Sequence, residues 1–527
     1  MTYDILTNEQ VAESGGDLAS PSADDVTVGK DLLELLSVGM YVDPMSIYRE
    51  YVQNAADAID QARDEGLIGA GEPGRIDIEL TPQGRSIRIR DNGTGLKRNE
   101  FVRTLLAVGG SGKRGSSFRG FRGVGRLAGL AYAQELIFRS RATGESDVSE
   151  LRWDSRRLKA ALRDRAFEGG IDRLILYCAE TRRAAAEDFP DRFFEVELKG
   201  VIRLRADRLM TPSAVEQFLS QQAPVPFSPD FSRGRDIAAA LRAAGVPLPM
   251  HIHLDGRDTP LYRPHRDHFY LGNGQEASFA ELELREIPDM DGGPAALAWV
   301  LHHDYFGAIP SANLIKGLRM RVGDLQVGGA HVLEDCFAEP RFNSWSVGEV
   351  HVLDRRITPN ARREDFEQTV HHNNLLYHLS PLFREISKRC RDNSIRRNWA
   401  RKLDLSLAKA REATAAPASH HELVAAGEAL TEATRIADMP LLAEEDLALR
   451  RVEIRAVGET LDRLQASPFE ADPFAAFTAD QRSGAERILE LIVACSDDQQ
   501  AASGLLARIM RKLIDEKGTA ADPGGTI

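Results

Sequence analysis

The sequence predicts an α+β protein: a mixed helix-and-strand domain, a second α/β domain, then a helical C-terminal region. Three observations carry this. Apolar residues in 48–62 follow helical spacing. Two period-two runs, Arg75-Ile-Asp-Ile-Glu-Leu80 and Ser86-Ile-Arg-Ile-Arg90, flank Thr81-Pro-Gln-Gly84, which is a hairpin signal. Beyond residue 380 the alternation gives way to helical patterning. With 527 residues the chain exceeds one core, and length alone suggests about three or four domains.

The elements in order support a division into an arm (1–27), a first domain with its connection (28–240), a second domain (241–380), a helical region (381–517) and a disordered tail (518–527). The arm is polar and turn-rich, either flexible or exchanged with a partner. Pro224-Val-Pro226 marks the connection. His251-Ile-His-Leu-Asp255 and further alternating runs near 297–303, 317–327 and 347–354 read as strands of the second domain. Thr414-Ala-Ala-Pro-Ala-Ser419 reads as a linker. Leu447, Ile454, Val457, Leu461 and Leu464 fill five of six heptad core positions, which favours a globular helix over a coiled coil.

Composition is 43% hydrophobic and 28% charged, with net charge −13. That argues against a uniformly basic nucleic-acid binder. Cys178, Cys336, Cys390 and Cys495 are far apart and form no CxxC pair, the pattern of reduced thiols in a cytoplasmic protein. Asp4, Glu9, Glu13 and Asp17 stand where a signal peptide would need a basic flank. No apolar run approaches the ~18 residues of a membrane span, so no membrane association is expected.

On the 48–62 helix, Tyr48, Tyr51, Val52, Ala55, Ile59 and Ala62 form one face. Glu50, Asn54, Asp57 and Gln61 fall within roughly 60° on the other side, at 100° per residue. This stripe contains no Lys or Arg to pair with its acids. It is either a solvated polar face or one that holds a hard cation through Asn54 and a water through Glu50. Asp91 ends a strand and is followed by Gly93 and Gly95. The segment is either an ordinary turn or a carboxylate set to accept from an exocyclic amine, with backbone free to approach a flat ring. Gly109-Gly-Ser-Gly-Lys113-Arg-Gly115 leads into Gly120-Phe-Arg-Gly123-Val-Gly125 and an apolar helix over 127–133. Glycines before a helix offer N–H groups to phosphates, and Lys113, Arg114, Arg119 and Arg122 add positive charge. The spacing fits neither a P-loop nor a Rossmann turn.

Taken in order, Glu50-x3-Asn54-x2-Asp57-Ala58, Asp91-x-Gly93-x-Gly95 and the glycine-rich stretch ending in Gly120-x2-Gly123-x-Gly125 resemble the Bergerat-fold ATPases. These are the gyrase, histidine-kinase, mismatch-repair and heat-shock chaperone superfamily. The wording of 48–63 is similar to the catalytic helix of the ninety-kilodalton heat-shock chaperones nearly throughout. The resemblance implies an α/β sandwich binding ATP and Mg2+, with Glu50 as catalytic base, Asn54 as metal ligand and Asp91 as adenine anchor. It sets Gly93 and Gly95 beneath the base and Gly120, Gly123 and Gly125 at the phosphates. Asp57 and the lid residue Lys113 are counted with the nucleotide-binding set.

The second domain continues the resemblance through Asn313-Leu-Ile-Lys316-Gly-Leu-Arg-Met-Arg321 and Ile357-Thr-Pro-Asn360-Ala-Arg362-Arg363-Glu364. These imply a transducer-like middle domain whose Arg363 senses the γ-phosphate, with Lys316 as its rival. An ordinary ion pair of Arg363 with Glu364 or Asp365 is the alternative. The chain departs from the family in having Phe193-Phe-Glu-Val-Glu-Leu198 where a Gly-Thr strand usually completes the pocket. No resemblance extends beyond about residue 380.

The implied function is an ATP-hydrolysing homodimeric clamp acting on a protein client. A DNA-associated ATPase and a regulatory or defence ATPase working with an effector are the alternatives. The histidine pairs 302–303, 371–372 and 420–421 lack ligand spacing. Arg391, Arg396, Arg397, Arg401 and Lys402 surround Trp399 and read as a solvated helix face or an acidic-partner or DNA patch.

Overall fold

The computed structural model describes residues 43–69, 72–107, 125–164, 166–167, 170–415, 420–440, 442, 444–466, 477–495, 505 and 508–509. The 1–27 arm, the lid from 108 onward and the 518–527 tail lie outside them. The chain forms two compact units, Met1–Lys388 and Arg389–Ile527.

The first unit opens with helix α1 (Ser46–Asp64), then the hairpin β1 (Arg75–Thr81) and β2 (Ser86–Asp91) in the register Thr81↔Ser86. The turn closes through Arg85, which adopts φ 46°. After α2 (Arg98–Leu106) comes a 3₁₀ segment, Gly125–Ala131, where the apolar run predicts an α-helix. Its Leu127, Ala128, Gly129 and Leu130 are buried, and Gly129 packs closely against Tyr51. β3 (Glu135–Arg141), β4 (Val148–Asp154), α3 (Ser155–Arg163), α4 (Ile171–Cys178), β5 (Ala179–Ala184) and β6 (Phe193–Lys199) follow.

These strands build a seven-stranded sheet in the order β5-β4-β3-β6-β2-β1-β7. The last, β7 (His251–Leu254), pairs parallel with β1. It does not open the second domain, as its place in the chain predicts. Alternation identifies a strand but not its neighbour, and Ile76 and Ile78 of β1 offer an edge already flanked by apolar side chains. Period two then sorts the faces. Ile87, Ile89, Leu136, Phe138, Leu151 and Trp153 point to the core that α1 covers. β6, standing where the Gly-Thr wording was missing, is a central strand between β3 and β2.

The chain passes α5 (Pro212–Gln222) and α6 (Gly234–Ala243) before β7. Ile237 and Leu241 of α6 belong to a second core with Phe231, Phe269, Trp299 and Leu301. The two cores therefore interlock along the chain: α6 joins the second, β7 returns to the first. The second core lies on a five-stranded sheet, order β10-β11-β14-β12-β13, built from β10 (Glu281–Pro288), β11 (Pro294–His302), β12 (Gly317–Val322), β13 (Leu325–Val327) and β14 (Val347–Val352). Short β8 (His268–Tyr270) and β9 (Glu276–Ser278) pair beside it. His302 bonds Tyr305 and Glu283, and His303 bonds the Trp345 carbonyl.

Helix α7 (Val370–Ala415) carries Thr414 and Ala415 of the expected linker in its last turn. In the second unit α8 (His420–Ala437) packs on α9 (Glu444–Ala466) through Leu423, Ala426, Ala433, Leu447 and Leu461, so the heptad residues serve a globular core. α10 (Ala479–Ala494) follows. Among the described residues no helix is long and apolar enough to cross a membrane.

Candidate nucleotide site

Helix α1 positions the site. Asp43 starts it, accepting from Met45 N at 3.1 Å while its carbonyl accepts from Ser46 Oγ at 2.6 Å. Ile47, Val52, Ala56 and Ile59 anchor the helix in the core. Two phenols pin it. Tyr48 Oη donates to the Leu209 carbonyl at 2.6 Å. Tyr51 Oη donates to the Arg126 carbonyl at 3.2 Å and accepts from Gly129 N at 2.9 Å. Burial pushes both phenols above their ordinary range, so they remain neutral hydrogen-bonding groups near pH 7.

The three sequence motifs meet on this helix. A β-carbon at Gly125 would collide with the Glu50 carboxylate, so the end of the glycine-rich motif lies directly against that acid. A β-carbon at Gly93 would collide with Ala58, and Thr94 N donates to the Ala58 carbonyl at 3.2 Å. Gly95 takes φ 66° and abuts the Arg141 carbonyl, so the second glycine fits the strand end.

Asp91 closes β2 on the same face as Ile87 and Ile89, the face under α1. It is 5% exposed and accepts from Gly93 N at 2.8 Å. Burial pushes its carboxyl up to about 7, against the opposing pulls of that N–H and of Arg192. A carboxylate held this way gains from a further donor.

Glu50 and Asn54 are half-buried. The stripe is not uniform, however. Asp57 is buried at 1% exposure, whereas Gln61 is exposed and donates to Glu65 Oε1 at 2.8 Å. Glu50 also has a cationic neighbour that the stripe does not contain: Arg49 Nη2 lies 3.5 Å from its Oε1. A helical wheel sets consecutive residues 100° apart, so spacing alone leaves Arg49 out of the site. The same Nη2 donates to the Arg362 carbonyl at 3.0 Å, tying α1 to the second-domain loop.

In that loop Arg363 is buried and adopts φ 55°, a conformation uncommon for a side-chain-bearing residue. Its carbonyl accepts from Gly328 N at 2.8 Å, and the Pro359↔Phe366 bridge closes the loop's base. Arg362 is exposed. Lys316 is half-buried before β12, with its carbonyl accepting from Arg319 Nη2 at 3.3 Å. Lys113, Gly120 and Gly123 lie outside the described residues.

A helix laid over a mostly antiparallel sheet, with a strand-end acid and a glycine turn both docked on it, defines a class. Residues 44–164 match the family described as histidine kinase-, DNA gyrase B-, and HSP90-like ATPase. The curated relatives are more particular. The chain is 31% identical over 144 residues to the chaperone protein HtpG of Chlorobium phaeobacteroides, covering 24% of this chain and 23% of that protein. It is 26% identical over 202 residues to HtpG of Alkalilimnicola ehrlichii (35% and 30%) and 27% identical over 205 residues to HtpG of Chromobacterium violaceum (35% and 30%). The chain therefore spans less than a third of the length of these relatives.

Proposed function

We propose that this protein is a Mg2+-dependent ATP hydrolase that works as a cytoplasmic, homodimeric, chaperone-like clamp. The observation that supports this best is the convergence of three motifs on α1: Gly125 against Glu50, Gly93 against Ala58, and Asp91 beneath the same helix. Asp91 accepts the adenine amine, and its buried carboxylate discriminates for a base that can donate there. Gly93 lets the backbone approach the ring.

The donor set suits magnesium. Among the described residues no group of three or more His, Cys, Asp or Glu could cage an ion, while Asn54 offers one hard oxygen a turn beyond Glu50. Mg2+ is commonly held by few protein oxygens together with waters and phosphates. Asn54 would hold it, and when bound it would neutralise charge on the phosphates.

Glu50 orients and deprotonates the attacking water. Arg49 keeps that carboxylate in place through their ion pair. Arg363, or its rivals Arg362 and Lys316, stabilises charge on the transferred phosphoryl group from the second domain. Arg49 supports the loop carrying Arg363, because it holds the neighbouring carbonyl. Lys113, Gly120 and Gly123 complete the phosphate side in this reading, and Asp57 supports the helix from within. A closing lid and a docking second domain would couple the cycle to a protein client.

ATP turnover by the wild type and by Glu50→Ala, each with and without duplex DNA, tests the proposal. The wild type is expected to hydrolyse ATP, the variant to bind it and lose turnover about 10²-fold or more, and DNA to change neither. Absence of both binding and hydrolysis in the wild type overturns it. Strong stimulation by DNA would replace the chaperone reading with the DNA-associated one, and activity that needs a partner protein would favour an effector-coupled ATPase.

A further inference from the structure

The outer face of the seven-stranded sheet, opposite α1, carries two rows of charge that run across the strands. In the first, directly opposed residues read Asp77, Arg90, Glu195, Arg139, Glu150, Arg182, crossing β1, β2, β6, β3, β4 and β5. Their signs alternate without a break. Arg90 meets Glu195 at 2.6 Å, Arg139 meets both Glu195 and Glu150 at 2.7 Å, and Arg182 bonds Glu150. The second row, one repeat along the strands, reads Glu79, Arg88, Glu197, Ile137, Arg152, Glu180.

Both rows stop at β5, which has a single neighbour, β4, among the described residues. They stop with opposite signs. Arg182 and Glu180 stand on the same face with Thr181 between them, and their side chains are 69% and 63% exposed.

We infer that β5 is a homodimer surface, pairing antiparallel with β5 of a second copy so that the two sheets become one. Register decides this. An antiparallel edge pairing related by a two-fold keeps faces, so opposed residues must share parity. Three registers meet that condition near the strand's centre. One sets Glu180 against Glu180, another sets Arg182 against Arg182, and both oppose like charges. The third passes the two-fold through Thr181 and sets Arg182 against Glu180 twice.

In that register both alternating rows continue into the second copy: Glu150, Arg182, then the other copy's Glu180 and Arg152. The ends of the strand also complement each other. Exposed Leu176 and Tyr177 precede β5, and Ala184-Ala-Ala186 ends and follows it, so the two-fold brings an apolar end to a small-residue end. An exposed edge of this kind is either paired or blocked in natural proteins, and here the charges suit pairing with their own copy. This names a surface for the homodimer proposed above and makes no use of the nucleotide site.

Sedimentation velocity on the full chain tests it, with Glu180→Arg and Arg182→Glu as the variants. Each alone is expected to weaken dimerisation at least tenfold. An equimolar mixture restores a heterodimer, because an edge bearing two arginines then meets an edge bearing two glutamates. Thr181→Cys, in a Cys495→Ser background that removes the exposed native thiol, is expected to give a disulfide-linked dimer on mild oxidation. That cross-link decides the matter should a charge reversal unfold the protein.

A wild-type dimer indifferent to both reversals, with no cross-link at 181, overturns this surface and leaves the homodimer reading standing. A monomeric wild type with no cross-link overturns both. That second result is also what coverage of the edge by residues 1–42 of the same chain would give.

Discussion

Two buried carboxylates, one in each of the two large sheets of the first unit, are held in opposite ways. Glu349 on β14 is 1% exposed and lies between two guanidinium groups. It bonds Arg263, accepts from Arg321 Nε at 2.6 Å and meets His351 Nε2 at 3.0 Å. The arginines hold its carboxyl well below the ordinary range despite the burial. Asp91 on β2 is nearly as buried, yet burial wins and its carboxyl rises to about 7.

The difference teaches what each is for. Glu349 is satisfied by its own fold, and its arginines grip alternate carbonyls of the connection: Arg321 donates to Gln221 and Ala223, Arg263 to Val225. That cluster fastens the second domain to the strap leading from the first. Among the described residues Asp91 accepts from Gly93 N alone, and no arginine bonds it as Arg263 and Arg321 bond Glu349.

The largest effect expected is on the satisfied acid. Glu349→Leu leaves Arg263 and Arg321 buried with too little negative charge, and removing one partner of a buried pair costs about 3–5 kcal/mol. Thermal or denaturant unfolding would show it. A loss under about 1 kcal/mol would break the comparison.

Asp91→Asn should do the reverse. It relieves a buried charge, so the nucleotide-free protein should gain up to about 4 kcal/mol at pH near 8, the cost of ionising a carboxyl that burial holds up at about 7. The same variant should lose nucleotide affinity, measured by calorimetry, because an amide presents its own N–H groups beside the adenine amine.

The pH dependences have opposite signs. Asp91 binds its proton more tightly when folded, so its contribution to stability falls as pH rises from about 4 to about 7 and is constant above. Glu349 has a depressed carboxyl, so its contribution is present above the ordinary glutamate range and is lost as pH falls below it. Melting curves of the two variants against wild type, across this range, should diverge in opposite directions. Nucleotide affinity in the wild type should weaken as pH drops below about 7, as Asp91 takes up a proton.

A third carboxylate sharpens the contrast by geometry. Gly125→Ala drives a methyl group into the space of the Glu50 carboxylate. Misplacing a catalytic group by about 1 Å costs on the order of 10²-fold in turnover, with nucleotide binding largely kept. Smallest of all is Arg257→Ala. Its partner Glu216 is 2.8 Å away, but both side chains are nearly half exposed, and such pairs contribute at most about 1 kcal/mol.

Much of this was legible in the chain. The β1–β2 hairpin follows from two period-two runs around Pro82 and Gly84, and α1 follows from six apolar residues at helical spacing. Both are local signals, set by repeat and turn chemistry within about twenty residues. Less local features were not legible. β7 alternates like a strand of either sheet, and only the open edge of β1 assigns it. The 127–133 run is apolar enough for an α-helix, but its start is wound as 3₁₀ where Gly129 packs against Tyr51. Arg49 sits next to Glu50 in sequence yet off the stripe, and its importance depends on a carbonyl contributed from residue 362.

By itself the sequence determined the order and chemistry of the motifs: an acid and an amide one turn apart, an acid at a strand end, and glycines where backbone must approach. Helical and strand periods are intrinsic to the backbone, so these placements need no knowledge of the rest of the fold. Tertiary structure decided which of those groups are supplied with partners. Asp91 and Glu349 are both strand carboxylates in the sequence. Distant arginines at 263 and 321 satisfy one, while the other, among the described residues, accepts a backbone N–H and lies buried. Burial and counter-charge are properties of the assembled fold, and they separate the acid paired with two arginines from the one whose carboxyl burial pushes up.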